Sequence, residues 1–259
     1  MDFLDYSNIG FKAFEFTEKK QEVVNRKRDI TDSVFLHHHL HPATLLFIGF
    51  NPAALVYVDR EVTVTKVTAE CQAAMLRHNP KLNFVDWDVL SEDNSRYDAV
   101  VAVDEFLTFA DTEDDQHQLL EQICDLAQEV VITTLRDYKN QGFKDREFSV
   151  PSVIRNTGSS RLFLEYHDYD LHDRNAWIRS IYQMDEDDCL SWQGFKCRQM
   201  FFKQCAKFSI DAGARDFLVH KNLMYKSLMR KNYEHVISMK FGQDGHNSPN
   251  RQHSKQSST

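Results

Sequence analysis

The chain has 259 residues, of which 42% are hydrophobic and 27% charged, with only 8 Gly and 5 Pro. This composition excludes disordered, collagen-like and fibrous chains and predicts a globular protein with one extended domain. The mean hydropathy is −0.53, and no apolar run approaches the roughly 20 residues that span a bilayer, so we expect no membrane segment.

The amino terminus and the cysteines bear on the cellular compartment. Residues 1–10 lack the basic start and apolar block of a secretory signal. The five cysteines are widely spaced and form no C-x-x-C pair. They predict reduced thiols in a cytoplasmic protein without a structural metal.

Charge is distributed unevenly along the chain, although the net charge is only −8. Residues 83–129 hold 14 acidic residues and one basic residue, whereas residues 194–242 hold ten basic and three acidic residues. The basic carboxyl third interleaves Lys and Arg with aromatic residues, a mixture that suits nucleic-acid contact. The alternative is a core-packed helix with a solvated charged face.

The first two thirds of the chain alternate strand-like and helix-like segments. The expected strands are short, apolar or β-branched runs at Thr44–Phe50, Val62–Val67, Asn83–Val85, Ala99–Val103 and Val130–Leu135. Helical composition lies between them at Ala69–His78 and Asp114–Ala127, after a helical amino-terminal segment over residues 1–41. This alternation predicts an α/β fold, a doubly wound, Rossmann-like and mostly parallel sheet.

The alternation changes after Leu135. Segments Arg161–Leu171 and Ala176–Met184 predict an antiparallel hairpin at the end of the sheet. Phe195–Ala212 and Leu223–Asn232 predict helices, which would make the carboxyl-terminal extension helical, before a last strand at His235–Phe241. We therefore divide the chain into a helical segment (1–41), a Rossmann-like core (42–190), a basic α+β extension (191–242) and a disordered tail (243–259).

The segment Tyr97–Leu107 (YDAVVAVDEFL) joins an aromatic-Asp pair, an apolar strand and an acidic end. Together with Val130–Leu135 and the order of elements from Pro42 to Met184, it resembles the fourth and fifth strands of class I S-adenosylmethionine-dependent methyltransferases. The resemblance implies a Rossmann-like fold, S-adenosylmethionine as the cofactor, and methyl transfer to an unidentified acceptor. A fainter resemblance of the carboxyl-terminal block to proteins of tailed phages of marine bacteria implies the host cytoplasm.

The resemblance also implies cofactor-binding residues. Gly49 and Asn51 follow the first strand and would line the methionine end of the cofactor, with Asn51 tolerating a left-handed backbone. Glu70 would bind the ribose. Asp86 and Asp88 compete for the adenine, and Asp88 is preferred because it follows the end of the apolar run.

Three residues are candidates for a catalytic base. Asp104 and Glu105 leave a buried strand at its carboxyl end, where open α/β sheets bind ligands. Tyr138 follows the fifth strand, at the same edge. The alternatives are a solvated acidic loop and an ordinary polar loop.

Two features favour other interpretations. An aromatic residue, Phe47, replaces the acid of the family's first motif, which favours a degenerate binding or regulatory module whose site is filled by Phe47, Phe50 or Trp87. Nicotinamide binding is weaker still, because no G-x-G-x-x-G follows a strand. The histidines at 37, 38, 39 and 41 suggest a metal, but a helix end packed on the sheet edge explains them better.

Overall fold

Two β-sheets and six helices form the part of the chain that a computed structural model describes. The described residues are 3–92, 95–136, 146–148, 152–156, 159–170, 172–173, 175–184, 190–226 and 233–242. The catalytic candidate Tyr138 and the predicted tail 243–259 lie outside these ranges. None of the described helices has the length and apolarity needed to cross a bilayer.

The central sheet begins with five parallel strands. They are β1 (Thr44–Ile48), β2 (Glu61–Thr65), β3 (Asn83–Phe84), β4 (Tyr97–Ala102) and β5 (Ala127–Leu135). All five lie where the sequence predicts strands. Apolar residues are nearly continuous in β1 and β4, because both faces of the sheet are covered there.

A second, antiparallel sheet is inserted after β5. It contains β6 (Arg146–Phe148), β7 (Ser152–Asn156), β8 (Ser159–Tyr169), β9 (Ala176–Met184) and β10 (Leu190–Arg198). The chain then returns to the central sheet as β11 (Asp216–Lys226) and β12 (Tyr233–Lys240). The central order is β11-β12-β5-β4-β1-β2-β3, with β12 antiparallel to β5.

Two predictions for the carboxyl third are wrong. The predicted hairpin exists as β8 and β9, but it belongs to the separate sheet, and the hairpin at the end of the central sheet is β11–β12. The extension is not mainly helical: residues 202–211 do form a helix within the predicted Phe195–Ala212, but residues 195–198 and 223–226 are in strands. A register shift between His220 and Met224 interrupts the alternation of β11, so the sequence does not show the period of a strand.

The helices are α1 (Phe3–Glu15), α2 (Lys20–His37), α3 (Ala69–His78), α4 (Trp87–Glu92), α5 (Glu113–Asp125) and α6 (Phe202–Asp211). Side chains of Thr68 and Thr112 cap α3 and α5 by accepting backbone N–H groups. Only a 3₁₀ turn, Pro52–Leu55, separates β1 from β2.

The hydrophobic core has two parts, one on each face of the central sheet. Leu46 and Ile48 of β1 belong to one part, and Leu45 and Phe47 belong to the other. Helix α1 contributes to both parts, Phe3 and Tyr6 to the first and two further phenylalanines to the second. The helix therefore contacts both cores from a position near the end of β1.

Histidines at the end of α2 pack against the last two strands. Both His38 and His220 place Nε2 near the Ser238 hydroxyl, at 2.7 and 2.8 Å. All three residues are buried. Burial is the main reason that the pKa of His38 is lowered and that of His220 falls to about 4, with neighbouring histidines adding to both effects.

We expect the free energy of unfolding to fall as the pH drops from about 6.5 to about 4. Above pH 6.5 His220 is neutral in both the folded and the unfolded state. Below pH 6.5 this histidine binds a proton in the unfolded chain but stays neutral in the folded chain until the pH approaches 4. At pH 5 this single group lowers stability by about 2 kcal/mol. Urea unfolding at pH 7.5 and 5.0 tests this.

The matched comparison is His220→Gln, which keeps a hydrogen-bonding group beside Ser238, with His41→Gln as the control because His41 is exposed. His220→Gln should lose less stability than the wild type between the two pH values. Equal losses in the wild type and both variants would contradict the assignment.

Candidate functional site

The strands β1, β2 and β4 all end in a backbone turn of unusual conformation. Gly49 has φ +81°, Lys66 +54°, Asp104 +59° and Glu105 +57°. For non-glycine residues this left-handed region costs about 1–2 kcal/mol each. Such costs concentrate at functional sites, and the carboxyl edge of an open α/β sheet is where ligands bind.

Helix α1 lies directly on the first of these turns. A Cβ at Gly49 would come within 2.5 Å of the Phe3 ring and 3.1 Å of Ser7 Oγ. The Phe50 N–H donates to Ser7 Oγ at 2.6 Å. Glycine is thus required here twice, for its backbone conformation and for the approach of α1.

Aromatic side chains fill the space over the ends of β1 and β4. The Phe3 ring lies 4.7 Å from that of Phe106 and 5.1 Å from that of Phe109, and Tyr6 lies 4.8 Å from Phe109. The Trp87 ring packs edge-on to Phe106 at 6.0 Å. The cavity left beside Gly10 and Asp104 has a volume of about 20 Å³, room for about one water molecule.

The polar wall of this cavity is built by Asp104 and Tyr225. The Tyr225 hydroxyl donates to Asp104 Oδ2 at 2.9 Å. Burial raises the pKa of Tyr225 well above its usual value, and the Asp104 carboxylate adds to the rise, so the phenol stays protonated. The other oxygen, Asp104 Oδ1, is buried and has no hydrogen-bond partner among the described residues.

A buried cation supports Tyr225 from α2. The Lys27 ammonium lies 3.0 Å from the centre of the Tyr225 ring and donates to the carbonyl of Lys226. Both Lys27 and Tyr225 line the cavity with Asp104. Together with Ser7, these residues bring a carboxylate, a phenol, an ammonium group and a hydroxyl to the walls of one small cavity.

Glu105 turns away from the cavity into a buried ionic cluster. Its carboxylate contacts the guanidinium groups of Arg136, at 3.1 Å, and of Arg179. Arg179 also reaches Glu165 at 3.1 Å, and Glu165 contacts His167. All five side chains are at most 4% exposed. Glu105 is thus paired with two cations in a buried cluster, and its role as a catalytic base stays a prediction.

The remaining predicted residues lie further from the cavity. Asn51 is buried and its side chain accepts the Ala53 N–H; its φ of −129° makes the expected left-handed backbone wrong. Glu70 and Asp88 are exposed, in the first turns of α3 and α4. Lys66, rather than Glu70, directly follows the end of β2. The predictions that Glu70 binds ribose and Asp88 binds adenine stay predictions.

Sequence reasoning missed Ser7, Lys27 and Tyr225. Tyr225 is 121 residues from Asp104 along the chain, and Lys27 lies in a helix of mostly polar sequence. No local spacing connects these positions, so only the tertiary fold reveals them.

Comparison with known proteins identifies the fold. No protein-family model and no curated protein matches the sequence. Among solved structures, the sugar N-methyltransferase KedS8 from Streptoalloteichus has a TM-score of 0.64 at 10% identity, over 84% of this chain and 87% of that one. An S-adenosylmethionine-dependent methyltransferase from Clostridium acetobutylicum gives 0.63 at 11% identity, over 84% and 92%.

A third similar structure is the S-adenosylmethionine-bound amino pentose methyltransferase CalS10 from Micromonospora echinaspora, with a TM-score of 0.61 and 11% identity over 84% of this chain and 91% of that one. The chain has the fold of S-adenosylmethionine-dependent methyltransferases. This confirms the predicted Rossmann-like architecture with its mostly parallel sheet. At these identities the likeness establishes the fold alone.

We expect Arg179→Met to destabilise the chain by about 3–5 kcal/mol, because it leaves Glu105 and Glu165 buried with less positive charge around them. Arg198→Met is the matched control: its guanidinium pairs with Asp173 at a partly exposed position, where such pairs contribute about 0–1 kcal/mol. Urea unfolding of both variants at neutral pH measures the difference. Similar losses in the two would show that the buried cluster has no special weight.

Proposed function

We propose that this chain binds S-adenosylmethionine at the carboxyl edge of β1, β2 and β4 and transfers its methyl group to an acceptor held against Asp104. The observation that carries the proposal is Asp104 Oδ1, which is buried without a hydrogen-bond partner among the described residues and belongs to a residue that lines the cavity at the ligand-binding edge of a methyltransferase fold. The similar structures, one of them with S-adenosylmethionine bound, support this cofactor.

The polar residues around the cavity suit such a ligand, but the cavity is too small to hold it while α1 is packed on Gly49. Small-molecule sites have volumes of roughly 300–1,000 Å³, far above that of the cavity beside Asp104. Phe3 and Tyr6 of α1 line this cavity. Binding therefore requires the amino-terminal part of α1 to move off Gly49, after which the glycine lets the backbone approach the ligand closely.

When bound, S-adenosylmethionine supplies a methyl group that is already electrophilic. The protein then has to position the acceptor and remove its proton. Asp104 Oδ1 accepts a hydrogen bond from the acceptor's N–H or O–H group and takes that proton as the general base. The Tyr225 hydroxyl holds the other oxygen of Asp104, and the paired Glu105 fixes the turn that carries it.

The acceptor is therefore a compound with an N–H or O–H group. CalS10 and KedS8 are named for sugar substrates, and nothing in the described site is specific for a sugar ring. Nucleic-acid contact through the basic carboxyl third stays a prediction.

The proposed location is the cytoplasm. The thiols of Cys71 and Cys205 are buried and form no disulfide. Burial raises the pKa of Cys205 to about 12, so this thiol stays protonated. Unpaired thiols suit a reducing compartment.

A degenerate binding module is the second candidate, and the filled cavity favours it. Of the three residues expected to fill such a site, Phe50 lines the cavity and Trp87 packs on Phe106, whereas Phe47 is buried in the core on the opposite face. Phe3 and Tyr6, which the sequence did not suggest, also line the cavity. Under this alternative α1 stays packed on the carboxyl edge of the central sheet.

Calorimetric titration with S-adenosylmethionine and its demethylated product separates the two candidates. We expect Phe3→Ala to tighten binding by roughly tenfold, because less free energy is spent on displacing α1. Gly49→Trp should abolish binding, because the new side chain occupies the site. Phe35→Ala, which removes an equally buried ring from α2, should leave the affinity unchanged.

The absence of binding in both the wild type and Phe3→Ala, with the fold retained by circular dichroism, would reject the cofactor proposal and favour the binding module. Binding that Gly49→Trp does not weaken would place the cofactor elsewhere.

A further inference from the structure

The rings of Phe3 and Tyr6 on α1 pack against aromatic side chains that belong to other parts of the fold. The Phe3 ring lies edge-on to those of Phe106 and Phe109, with ring centres 4.7 and 5.1 Å away. The Tyr6 ring lies 4.8 Å from Phe109 and 5.7 Å from Phe195 of β10, to which it is almost perpendicular. Such edge-to-face contacts are favourable beyond the burial of apolar area, so this packing favours aromatic rings over other apolar groups.

Arg179 adds a cation to the same packing. Its guanidinium carbon lies 5.4 Å from the centre of the Tyr6 ring, and strand pairing sets Arg179 beside Phe195. A guanidinium group at this distance attracts the π-system of a ring. We call Phe106, Phe109, Phe195 and Arg179 the ring pocket; none of the four belongs to α1.

Movement of α1 withdraws two rings from the ring pocket. This movement is the one that the binding of S-adenosylmethionine requires, because the cavity beside Asp104 is otherwise too small. The apolar walls of the ring pocket are then exposed to water, which is unfavourable. A bound molecule with a flat aromatic ring reverses this loss, since it restores both the edge-to-face contacts and the contact with Arg179.

The hydrogen-bonding groups beside the ring pocket suit an aromatic ring with a single hydroxyl group. Phenylalanine rings neither donate nor accept ordinary hydrogen bonds, and the Arg179 guanidinium is already paired with Glu105. Tyr6 lines one small cavity together with Asp104 and Tyr225, so a ring in its place can direct a hydroxyl group toward Asp104. A sugar has hydroxyl groups on every side, and those buried against phenylalanine would lack partners.

We propose, as an extension of the proposed function on which it rests, that the acceptor is a phenol with its ring in the ring pocket and its hydroxyl group against Asp104. The phenolic oxygen forms a bond to the methyl carbon, the bond between that carbon and sulfur breaks with its electron pair remaining on sulfur, and Asp104 takes the phenolic proton. The products are an aryl methyl ether and the demethylated cofactor. A phenol, with a pKa of about 10, loses its proton far more readily than an aliphatic alcohol, which suits a carboxylate base.

Binding to an opened ring pocket tests the preference for an aromatic ring. Calorimetric titration of Tyr6→Ala with 4-methylphenol should show an affinity at least roughly tenfold above that of the wild type, since the Tyr6 ring no longer competes. The saturated analogue 4-methylcyclohexanol should bind Tyr6→Ala several-fold more weakly, because it lacks a π-system. Equal affinities of Tyr6→Ala for the two compounds, or no binding of 4-methylphenol, overturns the proposal.

A matched pair of phenylalanines locates the bound ring. In the Tyr6→Ala background, Phe195→Leu should weaken the binding of 4-methylphenol about three- to tenfold, because an edge-to-face contact is lost. Phe163→Leu changes an equally buried ring on the same face of the second sheet and should leave the affinity unchanged. Equal effects of the two substitutions would show that the phenol lies outside the ring pocket.

Methyl transfer by the full wild-type chain separates the phenol acceptor from the function on which it rests. With methyl-labelled S-adenosylmethionine, the chain should label 4-methylphenol or 2-naphthol and leave the amino sugar glucosamine unlabelled. Phe195→Leu should raise the KM for the phenol and leave the dissociation constant of S-adenosylmethionine unchanged. Binding of S-adenosylmethionine without labelling of either phenol overturns the phenol acceptor alone, whereas no binding of S-adenosylmethionine to the wild type or Phe3→Ala rejects both proposals.

Discussion

The pairing of Glu105 with Arg136 and Arg179 is the contact on which the site depends. It connects the end of β4, the end of β5 and the inner face of the second sheet. Buried ions are tolerated only when they are paired, so these side chains have few alternative positions. Because Glu105 follows Asp104 directly, the same pairing holds the Asp104 carboxylate toward Tyr225 and the cavity.

The buried ionic cluster also contacts the aromatic side chains that cover the site. The Arg179 guanidinium lies 5.4 Å from the ring centres of both Tyr6 and Phe109. Helix α1 is therefore attracted to the edge by cation–π contacts as well as by burial of Phe3. The packing that stabilises the amino terminus is the packing that excludes a ligand, so ligand affinity and the stability of α1 oppose each other.

The sequence predicted the parts of this structure that local pattern determines. β1, β4 and β5 are apolar runs buried on both faces, and Gly49, Asp104 and Glu105 follow directly from where those strands end. The sequence-based prediction failed where contacts between residues far apart in the chain determine the structure. The register shift in β11 removed its alternation, and long residues such as Leu223 and Met224 favour helices until the pairing with β12 overrides that preference. Tyr225, which donates a hydrogen bond to Asp104, lies in β11, in the part of that strand that the sequence predicted as a helix.

The alternation of side chains along β9 determines both which residues join the buried ionic cluster and which apolar residues lie on the outside of the second sheet. Alternate residues of β9 place Arg179 and Ile181 inward, toward the ionic cluster and the core, and Ile178, Tyr182 and Met184 outward. A one-residue slip in register would exchange the two sets and leave the charges of Arg179 and Glu165 on the apolar face. The buried ion pairs therefore fix the register that exposes the apolar face, so the geometry of the site and that of the outer surface are set by the same strand pairing.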